Sequence, residues 1–404
     1  RGREGKIGCT QPRRIAAISV STYVAKKHGS ELGAVIGYQI RNERETSSTT
    51  RIKFMTEGIL FRELHGDPEL KKYEVVIIDE AHERGINQDL LIALLSDLRH
   101  QRPDLKILIM SATMNEDRFA EHFASIDGTA APIVKVPGRM FPVAINYLEE
   151  PARDVVESVA NCCINLIEET GDASGDILAF LPDEATIRKV CDRLDQKKFT
   201  EVKILPLYGT QPPDEQREIF QPTSLRRVIV ATNIAETSLT IDGVTHVVDS
   251  GLVKTVEYLG GSMSALKVTD HSKAGLAQRA GRAGRTQPGV CYRLFTKEEF
   301  DDRPDYTKPE LLRMALDQIL LHLRVLGFSM SEILKLNFMD RPDEERWLDA
   351  ETRLKILGAL DNRGVTDDGL RMERLPVSPM IGRMLLASIA YGCTARAPPL
   401  ETHR

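Results

Sequence analysis

Along the chain, short runs of consecutive apolar residues alternate with longer stretches in which apolar positions recur at helical spacing. Val75-Val76-Ile77-Ile78, Ile107-Leu108-Ile109-Met110, Ile177-Leu178-Ala179-Phe180, Val228-Ile229-Val230-Ala231 and residues 244–248 predict strands buried on both faces. Between them, residues 87–98, 154–168 and 184–194 place apolar side chains three and four apart, as amphipathic helices do. Strands alternating with helices imply an α/β fold with parallel sheets. The pattern breaks at Glu149-Glu150-Pro151 and then restarts, which predicts two α/β domains, 1–149 and 150–308. After Pro309 the strands stop. Residues 310–326 and 347–360 read as helices, and 363–369 as a turn between short strands. These features predict a small winged-helix-like module over 309–375, followed by the start of a helical module over 376–404.

The 404 residues are enough for about two to three domains, each able to bury its own core. With 54 basic against 59 acidic residues, the chain lacks the broad positive charge of a protein that coats nucleic acid by electrostatics, so any such contact must be local. The six cysteines form no C-x-x-C pair, and the adjacent Cys162 and Cys163 read as buried helix positions. With no signal peptide and no long apolar span, the sequence reads as a soluble intracellular protein, of nucleus or cytoplasm, without a membrane partner. Because residue 1 is Arg rather than Met, the chain also reads as an excised or incomplete segment.

Candidate chemistry begins with Asp79-Glu80-Ala81-His82, directly after the apolar run 75–78. In open α/β sheets ligands sit at the carboxyl ends of strands, so two carboxylates there face a crevice. One can hold Mg²⁺ through its waters while its neighbour orients or deprotonates a water that attacks a phosphoryl group. A lone D-E-x-H is equally a solvated strand end followed by a helix cap; what gives this one meaning is its company. Ser111-Ala112-Thr113 ends the next apolar run, with hydroxyls able to bridge toward the acidic pair. The run from Thr232 through Asn233 and Glu236 to Thr240, Asp242 and Gly243 follows the strand at 228–231 with a dense set of hydroxyl, amide and carboxylate groups. In Gln278-Arg279-Ala280-Gly281-Arg282-Ala283-Gly284-Arg285, a helix would set Gln278, Arg282 and Arg285 on one side, two guanidinium forks suited to a polyphosphate. The plainer alternative is a basic helix face paired with acidic neighbours.

Taken in order with Cys9-Thr10-Gln11-Pro12-Arg13-Arg14 and Thr56-Glu57-Gly58, these segments resemble the helicase motifs of the DEAH/RHA family in superfamily 2, from about residue 5 to about residue 393. The resemblance implies two tandem RecA-like parallel-sheet domains and a winged-helix/helical module. It also implies an ATP-dependent RNA helicase or translocase that unwinds RNA or remodels ribonucleoprotein, with ATP and Mg²⁺ as cofactors. Its partners would be single-stranded RNA, held by backbone contacts, and protein activators. Asp79 would hold the Mg²⁺ water shell, and Glu80, also at the metal, would activate the hydrolytic water. His82 would couple the site to the second domain, and Ser111 and Thr113 would count among the catalytic residues. Gln278 would position the water, and Arg282 and Arg285 would be arginine fingers, of which one can contribute about 10³ to 10⁵ in rate. Thr240 and Asp242 would hold the ribose. Phe220, in a helix with Gln216, would stack on adenine from one side and Tyr23 from the other, although Tyr23 reads equally well as a core residue. Arg13, Thr56, Thr232 and Asn233 would grip the phosphate backbone without reading sequence. Residues 252–258 and 266–269, around Gly260-Gly261, read as a hairpin, either the family's strand-separating wedge or an ordinary edge hairpin.

Departures from the family pattern are equally specific. Phe180-Leu181-Pro182-Asp183-Glu184 stands where a Gly-Gln-Glu type sequence is usual, and residues 394–404 no longer follow the family. No G-x-x-x-x-G-K-[ST] occurs; Gly5-Lys6-Ile7 lacks the phosphate loop and its hydroxyl and runs straight into a strand. The expectation is a fragment of a working helicase that neither hydrolyses ATP nor folds well in its first domain. A non-catalytic RNA-binding scaffold and a DNA-directed superfamily 2 translocase are the alternative readings.

Overall fold

The computed structural model describes residues 5–112, 116–125, 127–136, 138, 141–170, 175–236, 241–260 and 263–393. Thr113, Thr240 and the divergent tail 394–404 lie outside the described residues. The described chain falls into two units: 1–133 with 256–265 and 308–402, and 134–255 with 266–307.

The first unit opens with β1 (Lys6–Gln11), α1 (Arg14–His28), β2 (Ile36–Ile40), β3 (Glu43–Glu45), β4 (Ile52–Thr56), α2 (Glu57–Gly66), β5 (Tyr73–Ile78), α3 (Ile86–Gln101), β6 (Lys106–Ile109) and α4 (Glu116–His122). Its sheet has the order β3-β2-β4-β1-β5-β6, parallel except for β3. One face packs on α1 through Ala17, Ala25, Ile36 and Phe54. Gly29, at φ 74, closes α1 in the left-handed conformation that a side chain would resist.

The second unit holds β7 (Val143–Tyr147), α5 (Val155–Thr170), β8 (Asp176–Phe180), α6 (Glu184–Asp195), β9 (Val202–Leu207), α7 (Pro213–Arg217), β10 (Arg226–Ala231) and β11 (Val244–Asp249). The hairpin β12 (Leu252–Gly260) and β13 (Met263–Asp270) follows, its tip at 256–265 grouping with the first unit. Then come α8 (Lys273–Gly281), β14 (Gly289–Arg293) and α9 (Lys297–Asp301). The second sheet, β7-β14-β11-β8-β10-β9, is all parallel. Its central strands β8 and β11 are buried along their whole length, β11 carrying Thr245, His246 and Asp249 inside among its valines.

The chain ends with α10 (Asp317–Val325), α11 (Met330–Ile333), α12 (Glu344–Ile356), the two-residue pair β15 (Leu360–Asp361) and β16 (Gly364–Val365), α13 (Asp367–Arg374) and α14 (Pro379–Ala390). One apolar core runs from Leu60, Leu91 and Leu95 of α2 and α3 into Leu320 of α10 and Trp347 and Leu354 of α12. Each such side chain, fully buried, contributes about 1.5–3 kcal/mol, which is why this module groups with the first sheet.

Several expectations need correction. The strand β6 is not buried on both faces: Leu108 is 43% and Met110 38% exposed, because β6 forms one edge of the described sheet. In β5, Val75 and Ile77 are only half-buried. Residues 310–326 are not one helix but a 3₁₀ turn, Glu310–Leu312, and then α10, whose first residue Asp317 accepts from Arg353 Nε at 2.7 Å. Glu149-Glu150-Pro151 lies between β7 and α5, so the second sheet already begins ahead of residue 150. Among the described residues no helix is long and apolar enough to cross a membrane.

Candidate active site

Four neighbouring strands of the first sheet, in the order β4, β1, β5, β6, end at Thr56, at Gln11 with Arg13 two residues on, at Ile78 with Asp79 next, and at Ile109 with Ser111 two residues on. Parallel register aligns these ends, with Gln11 opposite Thr56 and Ile78 opposite both Thr10 and Ile109. The topology thus brings Arg13 and Thr56, two of the four candidate nucleic-acid residues, and the carboxylate pair to the carboxyl end of one sheet.

The Asp79 carboxylate is held at both oxygens. Gln11 Nε2 donates to Oδ2 at 2.7 Å, and the Glu80 backbone N–H donates to Oδ1 at 2.9 Å. Glu80 adopts left-handed backbone, φ 53 and ψ 38, and starts a 3₁₀ turn, Ala81–Glu83. The turn is tied down by Ala81 N–H to the Met110 carbonyl at 2.9 Å and by Gln88 Nε2 to the carbonyls of Asp79, 3.1 Å, and Glu80, 3.3 Å. His82 Nδ1 lies 3.0 Å from Ser111 Oγ and 3.5 Å from Glu80 Oε2. The Ser111 hydroxyl therefore meets the acidic pair through His82. Beside this group, burial and the Asp79 charge push the Cys9 thiol up to about 12, so it supplies no thiolate.

Arg13 and Thr56 are the N-cap residues of α1 and α2, and Arg13 Nη2 lies 3.6 Å from Glu83 Oε1. Next to Thr56, the Glu57 carboxyl is lifted to about 8 by loss of hydration and by the charges of Glu83, Glu310 and Asp89. Tyr23 is 61% exposed on α1, with Lys27 Nζ 5.8 Å from its ring centre, so it is not a core residue.

In the second unit, the side of Gln278-Arg285 that a single helix would present is not formed. The helix α8 ends at Gly281 and tightens into a 3₁₀ turn, Arg282–Gly284, because small residues at 280, 281, 283 and 284 let the backbone close against β11 and β14. Arg282 is buried, and its Nη2 donates to the Glu236 main-chain carbonyl; Gln278 and Arg285 are half-buried. Arg279 is fully buried: Nε is 2.6 Å from Glu236 Oε1, Nη1 is 2.8 Å from Asp249 Oδ1, and the guanidinium lies 4.9 Å from the Phe180 ring centre. Burial would raise the Glu236 carboxyl, but Arg279 and His271 hold it down at about 2.

Thr232 and the exposed Asn233 follow β10, whereas the exposed Asp242 stands ahead of β11, at the opposite end of this parallel sheet, where its main-chain carbonyl accepts from Arg227 Nη2. Phe220 is 46% exposed and sits in a 3₁₀ turn, Glu218–Phe220, separate from α7 where Gln216 lies. Sequence reasoning assigned no role to Gln11, Gln88, Glu236 or Arg279. Gln11, Glu236 and Arg279 stood inside quoted motifs, which was the available signal; Gln88 had none.

The described donors suit Mg²⁺ in the manner it prefers. No group of three or more His, Cys, Asp or Glu side chains forms a protein cage among the described residues, whereas Asp79 and Glu80 are hard oxygen donors at a strand end. Mg²⁺ is commonly held by one or two carboxylates, waters and substrate phosphates.

Residues 15–121 match the family described as DEAD/DEAH box helicase, and residues 158–287 the helicase conserved C-terminal domain. The chain is similar to the solved Escherichia coli DEAH/RHA helicase HrpB, at 34% identity and a TM-score of 0.84, over 99% of this chain and 52% of that one. A second solved structure, of the E. coli DExH-box NTPase HrpB, gives 35% identity and a TM-score of 0.79, over 95% of this chain and 47% of that one. The chain thus spans about half the length of these relatives.

Proposed function

The chain belongs to the DEAH type of superfamily 2 helicases, and on that premise we propose that the protein hydrolyses ATP to move along, unwind or remodel RNA. The observation that carries this reading is the alignment of Thr56, Arg13, Asp79 and Ser111 at the carboxyl end of one sheet, with Asp79 and His82 already held by hydrogen bonds.

In this reading Asp79 and Glu80 would hold Mg²⁺. Bound there, Mg²⁺ neutralises charge on the transferring phosphoryl group. Glu80 takes a proton from the attacking water, and its left-handed backbone and the neighbouring His82 fix where its carboxylate lies. His82 and Ser111, with Thr113, relay the state of the site; Gln278 orients the water. Arg282 and Arg285 supply positive charge at the γ-phosphate, which for Arg282 means giving up or sharing the Glu236 carbonyl. Thr240 and Asp242 hold the ribose, and the exposed rings of Phe220 and Tyr23 serve the base. Arg13, Thr56, Thr232 and Asn233 hold the strand by its phosphates, which gives grip without sequence preference. The 404 residues contain no G-x-x-x-x-G-K-[ST], so the expected result for them by themselves is no ATP turnover.

The test is ATP turnover, with and without single-stranded RNA, by the 404-residue chain, by the full-length protein and by its Glu80→Gln variant. RNA-stimulated turnover in the full-length protein alone, lost in Glu80→Gln, is the expected result. Turnover surviving in Glu80→Gln overturns the assignment of the base, and equal stimulation by DNA of the same length points to a DNA-directed translocase instead.

A further inference from the structure

The loop that carries the carboxylate pair is strained at both ends. Glu80 and Arg84 both adopt left-handed backbone, at φ 53 and φ 48, and neither is glycine. Such conformations cost about 1–3 kcal/mol each and persist only where the surroundings dictate them. At the Glu80 end the restraints come from the first sheet and α3, as described above. At the Arg84 end they come from Asp89 of α3 and from two residues more than two hundred positions away in sequence.

Glu310 N–H donates to the Arg84 carbonyl at 3.0 Å, and Glu310 Oε2 accepts from Ile86 N–H at 2.9 Å, the first residue of α3. One residue thus fixes the end of the loop and caps the helix after it, where a carboxylate is favoured by the unsatisfied N–H groups. The Arg84 guanidinium bridges two carboxylates. Nε and Nη2 reach Asp89 of α3 at 2.6 and 3.1 Å, and Nη2 reaches Asp340 Oδ2 at 2.6 Å. Asp340 is in turn held by Arg118 Nη2, 2.6 Å from Oδ1. The Arg84, Asp89 and Asp340 side chains are largely withdrawn from water, so these pairs are less screened than surface ion pairs.

We propose that Glu310 and Asp340 are positioning residues for hydrolysis: by clamping Arg84 they hold the Asp79–Gly85 loop in the one conformation that sets Glu80 against the reacting water. The inference rests on Glu80 being the base proposed above. It gives the C-terminal segment a direct hold on catalysis, because any movement of residues 308–340 releases the loop. Asp340→Asn keeps the shape and removes the charge. Glu310→Ala removes the acceptor for Ile86 N–H, and Glu310→Gln restores an oxygen there.

The experiment measures ATP turnover and backbone amide exchange in the full-length protein and these variants. Asp340→Asn and Glu310→Ala are expected to lower kcat about ten- to a hundredfold, the scale of a misplaced reacting group. KM for ATP should stay within about twofold, and Glu310→Gln should recover most of the rate. Amide exchange should quicken at residues 80–86 and stay unchanged in β1 and β4. Unchanged kcat in both variants, or a loss accompanied by faster exchange throughout the first sheet and not recovered by Glu310→Gln, overturns the proposal. Glu80→Gln separates the two levels. Turnover that survives in it defeats the reading of the site, whereas turnover lost in it but intact in both clamp variants defeats the clamp alone.

Discussion

Arg279 Nε lies 2.6 Å from Glu236 Oε1, and neither side chain is open to water. The pair joins the two polar segments of the second unit, the one after β10 and the one that forms α8, with Asp249, at the end of β11, as a second anchor at 2.8 Å. Within Gln278-Arg285, the arginine between Gln278 and Arg282 is therefore a support for the neighbours proposed to face nucleotide. Removing one partner of a buried pair leaves the other charge uncompensated, at a cost of about 3–5 kcal/mol. Arg279→Met is expected to destabilise the second unit by that order in urea unfolding, while Arg285→Met, at a half-buried position, changes it by much less.

The same pair sets an acid limit. Glu236 is held at about 2, below the ordinary 4.5, so the folded state stays ionised where the unfolded chain takes up a proton. The stabilisation is complete above pH 4.5 and disappears as pH falls from there toward 2. Comparing the chain with Glu236→Gln by amide exchange in β8 and β11 checks this: the variant starts less stable and loses less over that interval.

Glu57 predicts the opposite slope in the first unit. Its carboxyl, near 8 when folded against 4.5 when free, keeps a proton that the unfolded chain has released. Stability should therefore decline as pH rises from about 4.5 to about 8 and level off above. Trp347, the single tryptophan, is buried in the core of that unit and stacks 5.9 Å from Phe338, so its emission reports the transition. Glu57→Gln should flatten the dependence; an unchanged slope in that variant would place its origin elsewhere.

What the sequence made legible was what local pattern controls. The runs at 177–180 and 228–231 are strands because residues covered on both faces are apolar throughout, the run at 244–248 keeps that burial with Thr245 and His246 hydrogen-bonded to each other, and the motif residues fall at strand ends because ligand-facing groups do. The exposed faces of β6 were illegible, since an edge strand there carries the same apolar run as a central one. The stop of α8 at Gly281 was hidden by good helix formers on both sides of it. The partners of Arg84 lie at positions 310 and 340, in segments whose own composition says only that they are helical or turn-forming. No spacing rule links residues 256 positions apart.

Gln11 offers the sharpest test of the proposed metal site, because it touches the metal only through Asp79. Its Nε2 donates to Asp79 Oδ2 at 2.7 Å, and the opposite oxygen is held by the Glu80 N–H, so the carboxylate plane is fixed before any ligand arrives. Partners that orient a metal-binding carboxylate typically change metal affinity or activity by about 10–100-fold when removed. Gln11→Ala in the full-length protein should therefore raise the Mg²⁺ concentration needed for half-maximal ATP turnover by that factor, with the rate at saturating Mg²⁺ falling much less. Gln11→Glu should do worse, because it replaces the donor with a second carboxylate in contact with the first, and one of the two must then hold a proton. A Mg²⁺ dependence unchanged in both variants would remove Asp79 from the metal site, since no arrangement that uses its Oδ2 tolerates both changes.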